Sequence, residues 1–390
     1  MTFMSLLDSL SLRQSQDASQ LEALGLLDPM QPKKAQFLRA FETMLKENID
    51  FGIAADFDQN ISREGKSQGL DPCNSYIDPV ARQAFQDIRE GGKDVVIISS
   101  RGARDIARII DIPGINIIGS LGWETFAAYK DNPTRSVSRI HPLFKPYRTQ
   151  ITSILGDVRK KFLEQEPGLT PEETETEPNL RLTMPDDGII VIQRKGFNSE
   201  YPEGINLTWN LNQVSTNARA KYRVALEKFY YAAFAKYSEG LNENERAKLM
   251  ELCSIIIREG KLSNGITTLD VEIRPIAQGA KAKAMIQLMR ESTDQKRLES
   301  FQNIPFHPIW IYSGDHIQQD GPPMRAGHTA FVLTHGKRGA IGVWSKPLDE
   351  PYRDVRGVDI TVNGVAENAA LLAGMAKLVK AYPKSNLNRP

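Results

Sequence analysis

Along this chain, short apolar runs end abruptly in polar residues, and most are followed by an amphipathic stretch. Phe51 to Ala55 is such a run and stops at Asp56 and Asp58. Asp94 to Ile98 is β-branched and stops at Ser99, Ser100 and Arg101, and Asn116 to Ser120 runs into Leu121-Gly122-Trp123-Glu124. Between them the spacing predicts helices from Pro79 to Glu90, closed by Gly91-Gly92, and from Ala103 to Ile110. Strand, helix, strand, helix, strand at this spacing predicts a parallel sheet wound by right-handed crossovers. Side chains alternate along a strand, so Asp56 and Asp58 are expected on one side, at the carboxyl end where open α/β sheets bind ligands.

The flanks read differently. Leucines at helical spacing through residues 5–28 form an N-terminal arm ended by Pro29 and Pro32, and Pro32 to Glu47 is a predicted helix. Phe144 to Glu166 is a predicted helix, and Pro167 to Pro178, with its run of glutamates, a solvated acidic loop. Strands at 188–193, 205–211 and 267–273, with helices at 216–238 and 242–259, predict an α+β insertion. The α/β pattern then resumes with a helix at 280–291, strands at 309–313, 330–333 and 340–343, and a last helix at 365–382. The expected division is an arm over 1–45, a core over 46–145 and 274–390, and a cap over 146–273.

Composition narrows the class. The 390 residues exceed one ordinary core, and 41% hydrophobic with 25% charged residues is the make-up of a globular protein. A net charge of +1 argues against a general nucleic-acid footprint. Cys73 and Cys253 form no paired motif, which fits a reducing compartment and no structural zinc. No basic segment with an apolar core opens the chain, and no apolar run reaches the ~20 residues of a membrane helix. The expectation is a cytoplasmic protein with a small-molecule partner, no nucleic acid and no membrane; the arm is offered either to the body or to a second subunit as a homo-oligomer contact.

Four polar groups stand where strands end or helices begin: Asp56 with Asp58, Ser99, Lys281, and Asp315 with Asp320. Each alone has a plain explanation: a polar turn, a helix cap, a solvated lysine, a loop aspartate. Together, in this order, they resemble the motifs of the haloacid-dehalogenase (HAD) superfamily of phosphatases. The resemblance implies an α/β, Rossmann-like HAD core with a parallel sheet and an inserted α+β cap of the C2 type. It implies Asp56 as nucleophile, Asp58 as the acid and base, and Lys281 as the counter-charge, with Mg²⁺ held by Asp56, Asp58 through its main chain, Asp315 and Asp320. Ser99, Ser100 and Asn60 would bind phosphate. Such chemistry asks mainly for neutralised charge and alignment.

The segments Asp56-Phe57-Asp58, Ile98-Ser99-Ser100-Arg101, Gly119 to Glu124, Val271-Glu272-Ile273-Arg274-Pro275 and Lys281 to Ala284 stand in the order seen in trehalose-6-phosphate phosphatases. This resemblance implies sugar contacts from Arg101, Glu124, Lys195 and Arg274. The chain departs from that family at Gln59 and Asn60, where Gly-Thr is usual, and at His316 and Gln319, where acidic residues are usual. In the cap, Gln193, Thr208 and Asn210 replace the family's Glu, His and Arg. The expected substrate is trehalose 6-phosphate; sucrose or glucosylglycerol phosphate, a phosphomutase reaction and a non-catalytic sugar-phosphate sensor are the readings left beside it. Trp123 and Trp209 read as core or as sugar platforms.

Overall fold

The computed structural model describes residues 20–28, 30–63, 75–129, 132–165, 179–184, 188–261, 267–276, 281, 283–284, 309–316, 320–325, 328, 339–346 and 358–383. Strand β1 (Phe51–Asp56) follows the helix Pro32–Lys46, and a two-strand ribbon, β2 (Ser62–Arg63) and β3 (Tyr76–Ile77), leads to the helix Pro79–Glu90. The Asp78 carboxylate starts that helix by accepting from the Val80 and Ala81 N–H groups. Strands β4 (Asp94–Ile98) and β5 (Asn116–Gly119) flank the helix Ala103–Ile110, and β6 (Glu124–Tyr129) and β7 (Asn132–Ile140) form a hairpin. The helix Arg148–Gln165 precedes β8 (Asn179–Met184), β9 (Gly188–Lys195) and β10 (Asn206–Val214). The helices Thr216–Tyr237 and Glu243–Leu252 lead to β11 (Ser254–Lys261) and β12 (Thr267–Arg274). Strands β13 (Ile309–Gly314), β14 (Gly339–Lys346) and β15 (Val358–Asn363) end in the helix Gly364–Ala381.

Eight strands make one sheet in the order β15-β14-β13-β1-β4-β5-β6-β7. The six from β15 to β5 are parallel, and β6 and β7 close the edge antiparallel. The chain starts at β1, builds toward β5, then returns to build from β13 on β1's other side. Strand order therefore reverses around β1, and the crevice at that reversal is where such sheets place ligands. The sheet is covered on both faces, which is why β1 is buried at every position. Ile53, Ala55, Val95 and Ile97 pack with the helices Pro32–Lys46, Pro79–Glu90 and Gly364–Ala381. Ala54, Val96, Ile98, Trp310 and Tyr312 face the other way.

The second sheet, β11-β12-β10-β9-β8, is antiparallel throughout and has a separate core. Ile190, Ile192, Leu207, Trp209, Val271 and Ile273 pack with Phe162, Tyr222 and Leu226 of its helices. Trp209 meets Phe162 edge-on, and Trp123 packs against Phe144 in the same way. Both indoles are thus core residues. The opposite face is polar: the pairing sets Lys195 beside Asn206, Gln193 and Glu272 beside Thr208, and Asp270 beside Asn210.

The predicted helix over 242–259 ends at Leu252, and residues 254–261 are strand β11. Three β-branched isoleucines, Ile255 to Ile257, favour the extended form over the helix. The β6–β7 hairpin, β8 and β15 add to the predicted elements. The strand expected at 330–333, the acidic loop 167–178, residues 1–19 of the arm, Cys73, Gln319 and most of the helix expected at 280–291 lie outside the described residues. Among the described residues, no helix is long and apolar enough to cross a membrane.

Candidate active site

The polar groups converge at the carboxyl ends of β1, β4 and β13. Asp56 is the last residue of β1, beside Ile98 of β4. Ser313 of β13 pairs with Ala55, so Asp315, two residues on, emerges close to Asp56. Gly314 makes room for the turn: a Cβ there would lie 2.5 Å from the Asp320 carboxyl carbon. Lys281 places Nζ 2.6 Å from Asp56 Oδ2 and 2.7 Å from Asp320 Oδ1. These groups are almost fully buried, Lys281 being 2% exposed and Asp320 0%.

Asp320 is fully engaged. Its Oδ1 meets Lys281 and accepts from the Tyr312 hydroxyl at 2.5 Å; its Oδ2 accepts from the Asp315 and His316 N–H groups at 3.0 and 2.8 Å. A carboxylate has roughly four acceptor positions, so Asp320 is a brace that orients Lys281 and the turn bearing Asp315. Burial pushes Asp320 upward, but the Lys281 ammonium and the donated hydrogen bonds outweigh it and hold the group below the usual carboxylate range. Asp56 is pushed up to about 8, by burial first and then by the neighbouring carboxylates, against the pull of Lys281. Burial raises Asp315 well above its ordinary value, with Asp56 and Asp320 adding to the effect. Lys281 is raised by the same two carboxylates despite its burial.

Three carboxylates gather here around one described ammonium, which leaves the site short of positive charge. Asp56, Asp315 and Asp320 each offer an oxygen within 4.8 Å of the others, and Lys281 is the described ammonium that touches them. A hard divalent cation fits this all-oxygen set, and Mg²⁺ in particular takes few carboxylates plus water and phosphate oxygens. Asp56 and Asp315 are the residues with acceptor capacity to hold it.

Asp58 is partnered outside this triad. Its carboxylate takes a forked contact from Arg101, with Nε at 2.9 Å and Nη2 at 2.8 Å, and Arg101 also donates to Ser75. Strand β1 stops at Asp56, so strict alternation does not carry on to Asp58. Ser99, buried at the end of β4, accepts the Arg101 N–H at 3.1 Å on its hydroxyl, and half-buried Ser100 lies between them. The polar sheet meets this turn directly: a Cβ on Gly102 would sit 3.2 Å from the Lys195 Cα. Burial lowers the Lys195 ammonium, while Glu272 and Asp270 support its charge.

Two expected contacts, Asn60 and Glu124, are placed elsewhere, while Arg274 stays on the polar sheet face. Asn60 is wholly buried below Asp56, with its amide spent on main-chain oxygens, and so does not present itself to a phosphate. Glu124 is equally buried: it accepts from the Ala103 N–H at the start of the Ala103–Ile110 helix and from the Ser120 and Ser138 hydroxyls. It anchors that helix rather than facing a sugar. Arg274 pairs with Glu272 and donates to its neighbour's carbonyl, on the polar face of the second sheet. Sequence reasoning passed over Tyr312, Ser313 and Asn368, which support the site from strand and helix interiors; an apolar strand with one isolated hydroxyl gives no motif to find.

No family model matches the chain, and no curated protein does. Among solved structures, the C-terminal domain of a trehalose-6-phosphate phosphatase from C. albicans aligns with 87% of this chain and 96% of its own, at 13% identity and a TM-score of 0.48. A phosphatase of the HAD enzyme superfamily from Bacteroides thetaiotaomicron aligns with 86% of this chain and 95% of its own, at 13% identity and a TM-score of 0.35. An N-terminally truncated IMP-nucleotidase from Plasmodium falciparum aligns with 88% and 74%, at 10% identity and a TM-score of 0.33. Trehalose-6-phosphate and HAD phosphatases are among its structural neighbours.

Proposed function

We propose that this chain is a Mg²⁺-dependent phosphatase of the HAD type that hydrolyses a glycosyl phosphate, with trehalose 6-phosphate as the first substrate to test. The observation that carries the reading is the cluster of Asp56, Lys281, Asp315 and Asp320 at the reversal point of the sheet. Paired carboxylates with a buried ammonium suit transfer of a phosphoryl group to a carboxylate. Asp56 attacks phosphorus, the ester oxygen departs, and an aspartyl-phosphate forms on Asp56. Asp58, held by Arg101, gives the leaving oxygen its proton and then takes one from the water that releases phosphate. Lys281 balances the charge on Asp56, and Ser99 stands beside the attacked group. Bound Mg²⁺ would supply neutralisation of phosphate charge between Asp56 and Asp315.

The sugar part of the reading is supported by the polar sheet face. Gln193, Lys195, Thr208, Asn210 and Glu272 offer both donors and acceptors, and Lys195 backs onto the Arg101–Gly102 turn. A face of this kind matches a polyhydroxylated leaving group better than an apolar one. Phosphate release from a panel of sugar phosphates, with Mg²⁺ and with EDTA, is the test. Mg²⁺-dependent release from trehalose 6-phosphate is expected, with Asp56→Asn folded and inactive. Release from another glycosyl phosphate alone replaces the substrate; near-normal release by Asp56→Asn removes the nucleophile; no release from any ester removes the activity.

A further inference from the structure

Behind the carboxylate cluster lies a polar knot that the chemistry above does not use. Asn60 Nδ2 donates to the main-chain oxygen of Asp56 at 2.9 Å and to that of Ser313 at 3.1 Å. One amide, 253 residues before Ser313 in sequence, therefore ties together the ends of β1 and β13, which carry Asp56 and, two residues past Ser313, Asp315. The Ser313 hydroxyl donates to Asn60 Oδ1 at 2.7 Å. Asn368, in the second turn of the Gly364–Ala381 helix, brings its Nδ2 to 2.9 Å from both Asn60 oxygens and 3.0 Å from the Ser313 hydroxyl. Asn60 is 0% and Asn368 1% exposed. A buried amide with several close acceptors holds its orientation firmly, because every alternative leaves polar atoms unpaired.

We propose that Asn368, through Asn60 and Ser313, is a positioning residue for the divalent cation: the C-terminal helix sets the spacing of the Asp56 and Asp315 carboxylates. The inference rests on the metal-dependent reading of the cluster. The physical argument is one of leverage. Two parallel strands are held in register by their ladder only as far as Ser313 and Ala55, and beyond that point the chain ends diverge into separate turns. The carboxylates that would share a cation hang on those diverging ends. Asn60 is the bridge across the gap, and Asn368 orients the amide that makes it. Groups one step behind the ligands commonly govern metal affinity by about 10- to 100-fold.

The test is Mg²⁺ binding by calorimetry, with phosphate release measured in parallel, on the full chain and on Asn368→Leu, Ser313→Ala and Leu372→Ala. Asn368→Leu keeps the side-chain size and removes the donor. Leu372 is buried in the same helix but belongs to the apolar core, so its truncation reports the cost of loosening the helix alone. Asn368→Leu is expected to weaken Mg²⁺ about tenfold or more and to lower kcat with KM for the ester little changed. Ser313→Ala should move Mg²⁺ affinity in the same direction by a smaller factor, and Leu372→Ala should leave it unchanged while lowering stability. An unaltered Mg²⁺ affinity in Asn368→Leu overturns the proposal, as does an equal weakening in Leu372→Ala. If Asn368→Leu does not fold, unchanged Mg²⁺ affinity in Ser313→Ala overturns it instead. Mg²⁺ binding without phosphate release from any ester would sink the phosphatase reading and leave this inference to the calorimetry.

Discussion

Lys281→Met is the most informative single change, because Lys281 joins two buried carboxylates and nothing else described does so. Methionine keeps the length of the stem and removes the charge. Asp56 and Asp320 are then left facing each other in a site that is closed to water. Removing one member of a buried ion pair costs roughly 3–5 kcal/mol, since the remaining charge is neither solvated nor matched. Without Mg²⁺ at pH 7, urea unfolding should show a loss in that range. The loss should grow with pH. Losing the ammonium lifts the carboxylates further, so the variant's native state holds protons that its unfolded state has released, and its stability falls more steeply as pH rises.

Mg²⁺ supplies the missing charge at the same place. At about 100 times its dissociation constant a ligand of the native state adds ~2.7 kcal/mol, so Mg²⁺ should restore a large part of what Lys281→Met loses. Turnover should not return with it, because an electrostatic partner of the reacting groups is gone; a fall of about 100-fold or more in kcat is expected. A urea midpoint equal to wild type in the absence of Mg²⁺ would refute the ion-pair argument. So would a stability loss that is larger with Mg²⁺ than without it.

Asp270 tests the polar sheet face: burial and Glu272 push it up to about 6 against the pull of Lys195. Its native state thus keeps a proton that the unfolded chain gives up near pH 4, and stability should fall as pH rises from about 4 to about 6, by about 3 kcal/mol at most, and then level off. Asp270→Asn should flatten that decline in urea titrations; an unchanged pH profile would show that the group is solvated. Gln59 has a left-handed backbone, with φ at +56°, in an exposed turn between Asp58 and Asn60. Gln59→Gly should raise stability by about 1 kcal/mol, and a lower unfolding midpoint would contradict the strain. Lys195→Ala should raise KM for the sugar phosphate about tenfold while leaving hydrolysis of a small aryl phosphate nearly unchanged; equal losses on both would remove Lys195 from the sugar side of the site.

The strands that carry the site were readable because two independent signals coincide there. Phe51 to Ala55, Asp94 to Ile98 and Ile309 to Ser313 are apolar enough to be central parallel strands, and each stops at a polar residue. The core of the site was legible for the same reason: Asp56, Asp315 and Lys281 sit where the pattern breaks. Local patterning carries less information where tertiary packing decides. Ile255 to Ile257 lie directly after a helix with a good capping box at Asn242 and Glu245, and the helical reading ran on past the point where β-branching ends it. Glu124 and Asn60 show where position along the chain and partners in the fold differ. Both side chains follow strands, as ligand-binding residues do, but they turn inward and satisfy main-chain groups that would otherwise be buried unpaired.

Asn60 carries the lesson furthest. Read along the chain, Gln59-Asn60 stands in place of the usual Gly-Thr, with Asn60 expected to remain a donor to phosphate. In three dimensions it is one member of a set with Ser313 and Asn368, drawn from a turn, a strand end and a helix. An amide reaches the ends of both strands at once, whereas a hydroxyl has a single hydrogen to donate. Its cost is that both amide faces need partners, and Ser313 and Asn368 are those partners. The departure at position 60 is thus intelligible only together with two residues more than 250 positions away, neither of which has a motif of its own. That coupling is why Asn60→Thr alone should be worse tolerated than its conservative look suggests: it takes the Oδ1 acceptor from the Ser313 hydroxyl and the donor from one of the two main-chain oxygens that Asn60 serves, in a dry interior, each costing about 1–3 kcal/mol.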